Sequence, residues 1–319
     1  MKYKNYKIWS ATDGSKGMIS QANGLAKNLS SNITEIKTEL IFPWNKLQPG
    51  ILPSFKWIFK NDFSTKNLPD IIITCGRKSV YFSLYLKKIS NNIINIHIQN
   101  PKIRYNKFNY IIAPNHDEIT GKNVINSIGA LHHIDLNNIS RNDLNLSIPN
   151  NKLVSCIIGG QNNHYHFRKY EIIDLCEKLI KLKENNPAIN LLIITSRRTD
   201  KSFIKIIRNK MNDKAILGFD NFKNPYLFAL KHSIFFILTS DSTSMISESA
   251  VTGKPIYVYH LPFKRKSKRI ENFHNEFENL NITRNFDNTL NLKNWNYNHL
   301  NETKRIAGII KKRIIEDLL

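Results

Sequence analysis

The chain has 319 residues, 41% of them hydrophobic, and a formal net charge of +22, which suits two globular domains with anionic partners. No apolar run reaches the roughly 18 residues of a spanning helix, and the basic N-terminus enters a strand pattern without a signal-peptide core. Three scattered cysteines, Cys75, Cys156 and Cys176, suit buried thiols and not a disulfide framework or zinc site.

In the first half, β-rich apolar runs at 6–11, 70–76, 92–98 and 109–114 alternate with helical periodicity at 17–29 and 78–89. That alternation predicts a parallel α/β domain. After the first run comes "SATDGSKGMISQANGLAKNL", a glycine turn opening a helix. Gly14 and Gly17 permit close backbone approach, the helix start offers N–H groups to an anion, and Lys16 adds a positive charge. Gln21 is grouped with this loop, and Asp13 is a candidate general base or simply the helix cap. "PDIIITCGRKSV" repeats the arrangement with Gly76 at the turn and Arg77 at the helix start, where the helix dipole opposes a cation; a ligand or carboxylate partner is expected there. Asn100 and His116 follow the next two strands and are cleft candidates by position, Asn100 with the acceptor loops and His116, beside Asp117, as a catalytic acid/base if the two side chains converge.

The polar, Asn-rich segment 135–152 reads as a linker, giving an N-terminal domain at 1–148 and a C-terminal one at 149–319. The second half repeats the grammar, with strand patterns at 153–160, 189–196, 233–240 and 255–260 and helices near 166–184, 200–212 and 242–252. Gly159 and Gly160 resemble a phosphate-approach turn. His164 and His166 lack further ligands at metal spacing, so no metal is expected. Thr195, Ser196, Arg197 and Arg198 leave a strand end with cations and hydroxyls that suit a pyrophosphate. "NPYLFALKHS" (224–233) reads as a short scaffold helix. "TSDSTSMISESAVTGKP" (239–255) is richer in hydroxyls than a single helix cap requires. Thr239, Ser240, Asp241, Ser242 and Ser244 fit a diphosphate at the helix start, Glu248 a ribose further along, and Lys254 follows the helix. The last helix places Ile306, Ile310 and Ile314 on one face, with Asn301 or Thr303 as a cap; it can pack on either half, a return to the N-terminal domain included.

Taken in order, "DGSKGMISQANGLAKNL", "PDIIITCGRKS", "IHIQNP", "NYIIAPNHD", "TSRRT", "NPY" and "TSDSTSMISESAVTGKPIYVY" resemble the mitochondrial fission ELM1-like family, whose bacterial members are described as glycosyltransferases. The resemblance spans roughly residues 8–260. It implies a GT-B fold, α/β with two Rossmann-like domains whose parallel sheets face a central cleft, the donor held by the second domain and the acceptor by the first. Residues 239–255 also resemble the donor site of the GlcNAc transferase that makes lipid II, where a glutamate holds the nucleotide ribose. Where bacterial relatives usually carry Gly-His in the first loop, this chain has Gly17-Met18, so no histidine base stands there.

The function expected is metal-independent transfer of a sugar from a nucleotide-diphosphate donor to a lipid-linked or cell-envelope saccharide. The alternatives are a non-catalytic, membrane-associated recruiting protein on a degenerate transferase fold, as the plant relatives imply, and a nucleotide-sugar epimerase. Expected partners are the donor, the acceptor and an anionic membrane surface, with no cofactor and no nucleic acid. The expected location is cytoplasmic, peripheral on a membrane's cytoplasmic face.

Overall fold

Runs such as Ile71–Cys75 are buried at every position, as parallel strands covered on both faces require. A computed structural model describes residues 5–135, 137, 152–220, 224–286 and 291–317. The chain divides into two compact units: unit 1 comprises Met1–His133 with Asn301–Leu319, and unit 2 comprises Ile134–Leu300. The expected boundary at 148/149 lies outside the described residues.

Unit 1 contains β1 (Ile8–Thr12), α1 (Lys16–Leu29), β2 (Ile33–Lys37), β3 (Ile71–Cys75), α2 (Ser79–Ile89), β4 (Ile94–Ile98), β5 (Tyr110–Pro114) and β6 (Val124–Ser127). Its strands pair in the order β2-β1-β3-β4-β5-β6, all parallel. Unit 2 contains β7 (Leu153–Ile158), α3 (Lys169–Asn185), β8 (Asn190–Thr195), α4 (Lys201–Met211), β9 (Ile216–Leu217), α5 (Pro225–His232), β10 (Ser233–Thr239), α6 (Thr243–Ala250), β11 (Ile256–Tyr259), α7 (Lys268–Asn279) and β12 (Thr283–Asn285). Its sheet runs β12-β11-β10-β7-β8-β9, again parallel throughout.

The final helix, α8 (Glu302–Glu316), belongs to unit 1. Ile306, Ala307, Ile310 and Ile314 pack in one core with Ala22, Leu25, Ala26 and Leu29 of α1. Each fully buried isoleucine contributes about 1.5–3 kcal/mol by leaving water. Neither expected cap caps this helix by its side chain. Asn301 stands at the cap position without a side-chain cap bond. Thr303 instead accepts from the His132 N–H at 3.1 Å and donates to the His132 carbonyl at 2.8 Å. Glu302 accepts the Ile128 N–H at 2.8 Å, so the start of α8 is tied to the chain after β6.

The three cysteines are free and buried, and burial pushes their thiols upward, that of Cys176 to about 11. Among the described residues no helix is long and apolar enough to cross a membrane, and no three His, Cys, Asp or Glu come together as a metal site.

Candidate functional site

In unit 2 the chain runs from β7 outward through β8 to β9, then crosses to the other side of β7 and runs outward through β10, β11 and β12. The reversal between β7 and β10 opens the sheet at its carboxyl edge, where such sheets bind ligands. Two loops leave the sheet there, one carrying Gly159-Gly160 and the other Thr239-Ser240-Asp241.

Asp241 joins these loops. Its Oδ1 accepts the Thr239 hydroxyl at 2.6 Å, and its Oδ2 accepts the Gly160 N–H at 3.0 Å and the Arg198 Nη2 at 2.8 Å. Burial pushes this carboxyl above its usual range, while Thr239, the Gly160 N–H and Arg198 pull it back. Thr239 Oγ1 also accepts the Gly159 N–H at 2.8 Å. A Cβ on Gly159 would stand 2.1 Å from Asp241 Oδ2, and one on Gly160 would stand 2.1 Å from the Arg198 carbonyl oxygen. The glycine pair expected to face a phosphate is therefore required by the protein's own carboxylate and backbone.

The neighbouring hydroxyls divide between scaffold and surface. Ser240 is buried, and its Oγ accepts the Leu261 N–H at 3.0 Å. Thr199 holds the ends of β7 and β8 together through the Gly159 carbonyl at 2.5 Å and the Ser196 N–H at 2.9 Å. The sequence groups Thr199 with the hydroxyls suited to a pyrophosphate, whereas its own hydroxyl is committed to these backbone contacts. Thr195 ends β8 half-buried, and Ser196 accepts the Arg198 N–H at 3.1 Å. Thr239, Ser240 and Asp241 thus serve the architecture, a correction to their reading as ligand contacts.

What faces outward begins at α6. Ser242 caps it by accepting the Met245 N–H at 3.4 Å. The N–H groups of Thr243 and Ser244 in the first turn have no intrahelical acceptor, and both residues are half-buried. Glu248 lies further along α6, and its Oε2 accepts the Tyr226 hydroxyl from α5 at 2.7 Å. Burial and the adjacent carboxylate push the Tyr226 phenol well above its usual range, so it remains a donor. The sequence reads this segment as scaffold with Tyr226 near the cleft at best; "NPY" shows a helix start but not which side chain it meets.

Of the cations, Arg197 is exposed and makes no side-chain bond among the described residues. Arg198 is exposed in part but bound to Asp241. Lys254 is a correction. Its ammonium donates to the Leu230 and Lys231 carbonyls at 3.1 and 2.7 Å, capping the last turn of α5. It precedes β11, at the amino edge of the sheet opposite the loops described, and burial lowers its pKa to about 8.

In unit 1 the corresponding reversal lies between β1 and β3. Asp13 Oδ1 accepts the Ser15 N–H at 3.0 Å, a local turn contact, and Gly14 turns the chain at φ +89°. Lys16 and Gly17 occupy the exposed first turn of α1, and nothing lies within 4 Å of a Cβ built on Gly17. Gln21 is buried and makes no side-chain hydrogen bond among the described residues. Gly76 has φ +86°, and a Cβ there would stand 2.2 Å from Met18 Sδ, so the methionine fills the reversal. The expected ligand for Arg77 gives way to backbone: its guanidinium donates to the Asn45, Lys46 and Leu47 carbonyls at 2.9–3.0 Å. Those carbonyls end a helical turn, whose negative end a cation satisfies. Asn100 accepts the Lys102 N–H at 2.9 Å as a turn, and His116 is buried in the short turn after β5.

The mitochondrial fission ELM1 family pattern matches residues 16–314. The chain is 32% identical to the uncharacterized protein RP120 of Rickettsia prowazekii, over 95% of this chain and 97% of that one. It is 25% identical to the mitochondrial fission protein ELM1 of Arabidopsis thaliana, over 78% of this chain but 65% of the plant protein. Among solved structures it is similar to a UDP-GlcNAc 2-epimerase from Neisseria meningitidis bound to UDP-GlcNAc, with TM-score 0.53, 14% identity and coverage of 97% and 99%. A glycotransferase of kitacinnamycin gives TM-score 0.51 at 12% identity, covering 88% and 86%. The fold is thus GT-B, and the chain belongs to the mitochondrial fission ELM1 family.

Proposed function

We propose that this protein binds a nucleoside diphosphate sugar in unit 2 and transfers its glycosyl group, without a metal, to a lipid-linked or envelope saccharide. The observation that carries this reading is the Glu248–Tyr226 pair beside the open first turn of α6. A carboxylate accepts the two hydroxyls of a ribose, while the N–H and hydroxyl groups of Thr243 and Ser244 meet the diphosphate. In the reaction the bond from the sugar's anomeric carbon to the diphosphate breaks, and the acceptor oxygen bonds to that carbon. The acceptor's proton passes to a base, and helix N–H groups with Arg197 stabilise the departing diphosphate.

A thermal-shift series with uridine, guanosine, adenosine and cytidine diphosphates tests the reading. At about 100 times Kd a bound nucleotide adds about 2.7 kcal/mol, a rise of several degrees in Tm. Glu248→Ala removes that rise. No shift with any nucleotide, or a shift unchanged in Glu248→Ala, overturns the reading. Turnover of a nucleotide sugar without acceptor marks epimerisation instead.

One observation favours the non-catalytic alternative, a recruiting protein on the same fold: Asp13, the candidate base, has a carboxylate oxygen engaged by its own turn. Nucleotide binding without sugar turnover across an acceptor panel would support it.

A further inference from the structure

The segment between β2 and β3 holds four large apolar side chains in water: Phe42 is 77% exposed, Ile51 62%, Phe55 42% and Trp57 60%. They are not on a loose loop. Residues 40 and 59 pair antiparallel, and the Ile41 N–H donates to the Ile58 carbonyl at 2.9 Å. Trp44 donates its indole N–H to the Pro53 carbonyl at 2.9 Å, and Tyr81 donates to the Gln48 carbonyl at 3.0 Å. Trp57 meets Trp44 edge-on at 5.0 Å and stacks on Phe55 at 5.6 Å. A fixed cluster of exposed aromatic rings marks an interaction surface.

The charge around it is mainly positive, and the flanking acids Glu39 and Asp62 are paired with Lys37 and with Lys56, the latter at 3.6 Å. Residues 40–61 contain three lysines, residues 71–116 five lysines and two arginines, and neither stretch contains an Asp or Glu. Lys88 Nζ stands 5.7 Å over the Phe55 ring. An open groove of about 970 Å³ runs from Ile51 and Pro53 to Lys102, Arg104 and Lys107. These last three cations are exposed and make no side-chain bond among the described residues.

We propose that this face docks on a bilayer bearing anionic phospholipid, with Phe42, Ile51, Phe55 and Trp57 entering the headgroup region and Lys102, Arg104 and Lys107 meeting lipid phosphates. Aromatic rings flanked by cations match the layered chemistry of a membrane interface, apolar below and anionic above. A second copy of this chain fits worse, since a two-fold contact sets a predominantly cationic surface against itself. The inference stands on unit 1 alone and does not depend on a sugar being transferred.

The test is cosedimentation of the full chain with vesicles of phosphatidylcholine alone and of phosphatidylcholine mixed with phosphatidylglycerol. Binding to the mixed vesicles is expected, weakening as salt shortens the Debye length below about 10 Å. The double variant Phe42→Ser, Trp57→Ser lowers the partition more than about tenfold. The triple variant Lys102→Glu, Arg104→Glu, Lys107→Glu does the same, at about fivefold per charge. Lys205→Glu on α4 leaves it unchanged. Because all these side chains are exposed, circular dichroism and Tm should match wild type. As a reading independent of partition, tryptophan emission shifts to the blue on mixed vesicles, and Trp57→Phe loses most of the shift while still binding. Equal partition of wild type and the double variant overturns the proposal. So does a lipid-free dimer, or binding to RNA in place of vesicles, that the same substitutions abolish.

Discussion

Glu248 receives the Tyr226 hydroxyl at 2.7 Å, and that contact fixes where the carboxylate sits before any ligand arrives. Tyr226→Phe deletes one hydrogen bond to a charged group, worth about 1.5–3 kcal/mol, so nucleotide affinity should fall roughly tenfold or more with the fold intact; calorimetric titration measures it, and unchanged affinity would show that Tyr226 positions nothing. His97 is wholly buried on β4 with Nδ1 2.8 Å from Thr74 Oγ1, and burial lowers its pKa to about 3. The unfolded chain takes up that proton near pH 6.5, the folded chain only near pH 3. Stability contributed by the neutral ring is therefore present above pH 6.5 and lost as pH falls through the window. His97→Gln should flatten the acid limb of stability against pH by about one proton, or about 1.4 kcal/mol per pH unit. Equal slopes in urea melts across that window would contradict it. Single cations were the least legible feature of the sequence. Arg77 and Lys254 were visible as charges after glycine turns, but both are taken by carbonyls from segments 30–32 and 23–24 residues away. Only the path of the chain brings such partners together.

The two loops at the β7–β10 reversal act as one element because Asp241 bonds to both. Gly159→Ala sets a methyl 2.1 Å from that carboxylate and should cost more than about 2 kcal/mol. Replacing Asp241 by alanine in the Gly159→Ala background should then cost less than in wild type, with a coupling of about 1–3 kcal/mol in chemical denaturation. Strict additivity would show that the loops are independent. At this scale the sequence was largely readable, and its omissions have a pattern. All eight expected strands correspond to β1, β3, β4, β5, β7, β8, β10 and β11, while the four unforeseen ones, β2, β6, β9 and β12, are the sheet edges. Central strands need apolar residues on both faces. An edge strand such as Ile33–Lys37 is partly exposed, and β9 is only two residues long, so neither leaves a continuous apolar run. Helix α7 was missed for a related reason: its start lies inside the basic cluster at 264–269, which masks the apolar face formed by Ile270, Phe273 and Phe277.

For the whole molecule, α8 is part of unit 1 although unit 2 intervenes in sequence. Deleting residues 301–317 would uncover the face of α1 against which Ile306, Ile310 and Ile314 pack. At about 1.5–3 kcal/mol each, those three residues approach the entire stability of an ordinary domain. Limited proteolysis of the truncated chain should cut unit 1 first and leave unit 2 protected, and equal resistance of both units would show that α8 is dispensable. The apolar face of α8 was legible from its isoleucine spacing. Its destination was not, because residue spacing shows that a face is buried but not what it is buried against. The same return of the chain sets an order in time. A ribosome adding about 5–20 residues per second must make all of Ile134–Leu300 before α8 emerges, so nascent unit 1 waits roughly ten to thirty seconds with its groove uncovered. During that interval α1 presents Ala22, Leu25, Ala26 and Leu29 to whatever binds apolar surface on a growing chain. Chains arrested before residue 301 should therefore be held by chaperones through unit 1, and released once α8 is made.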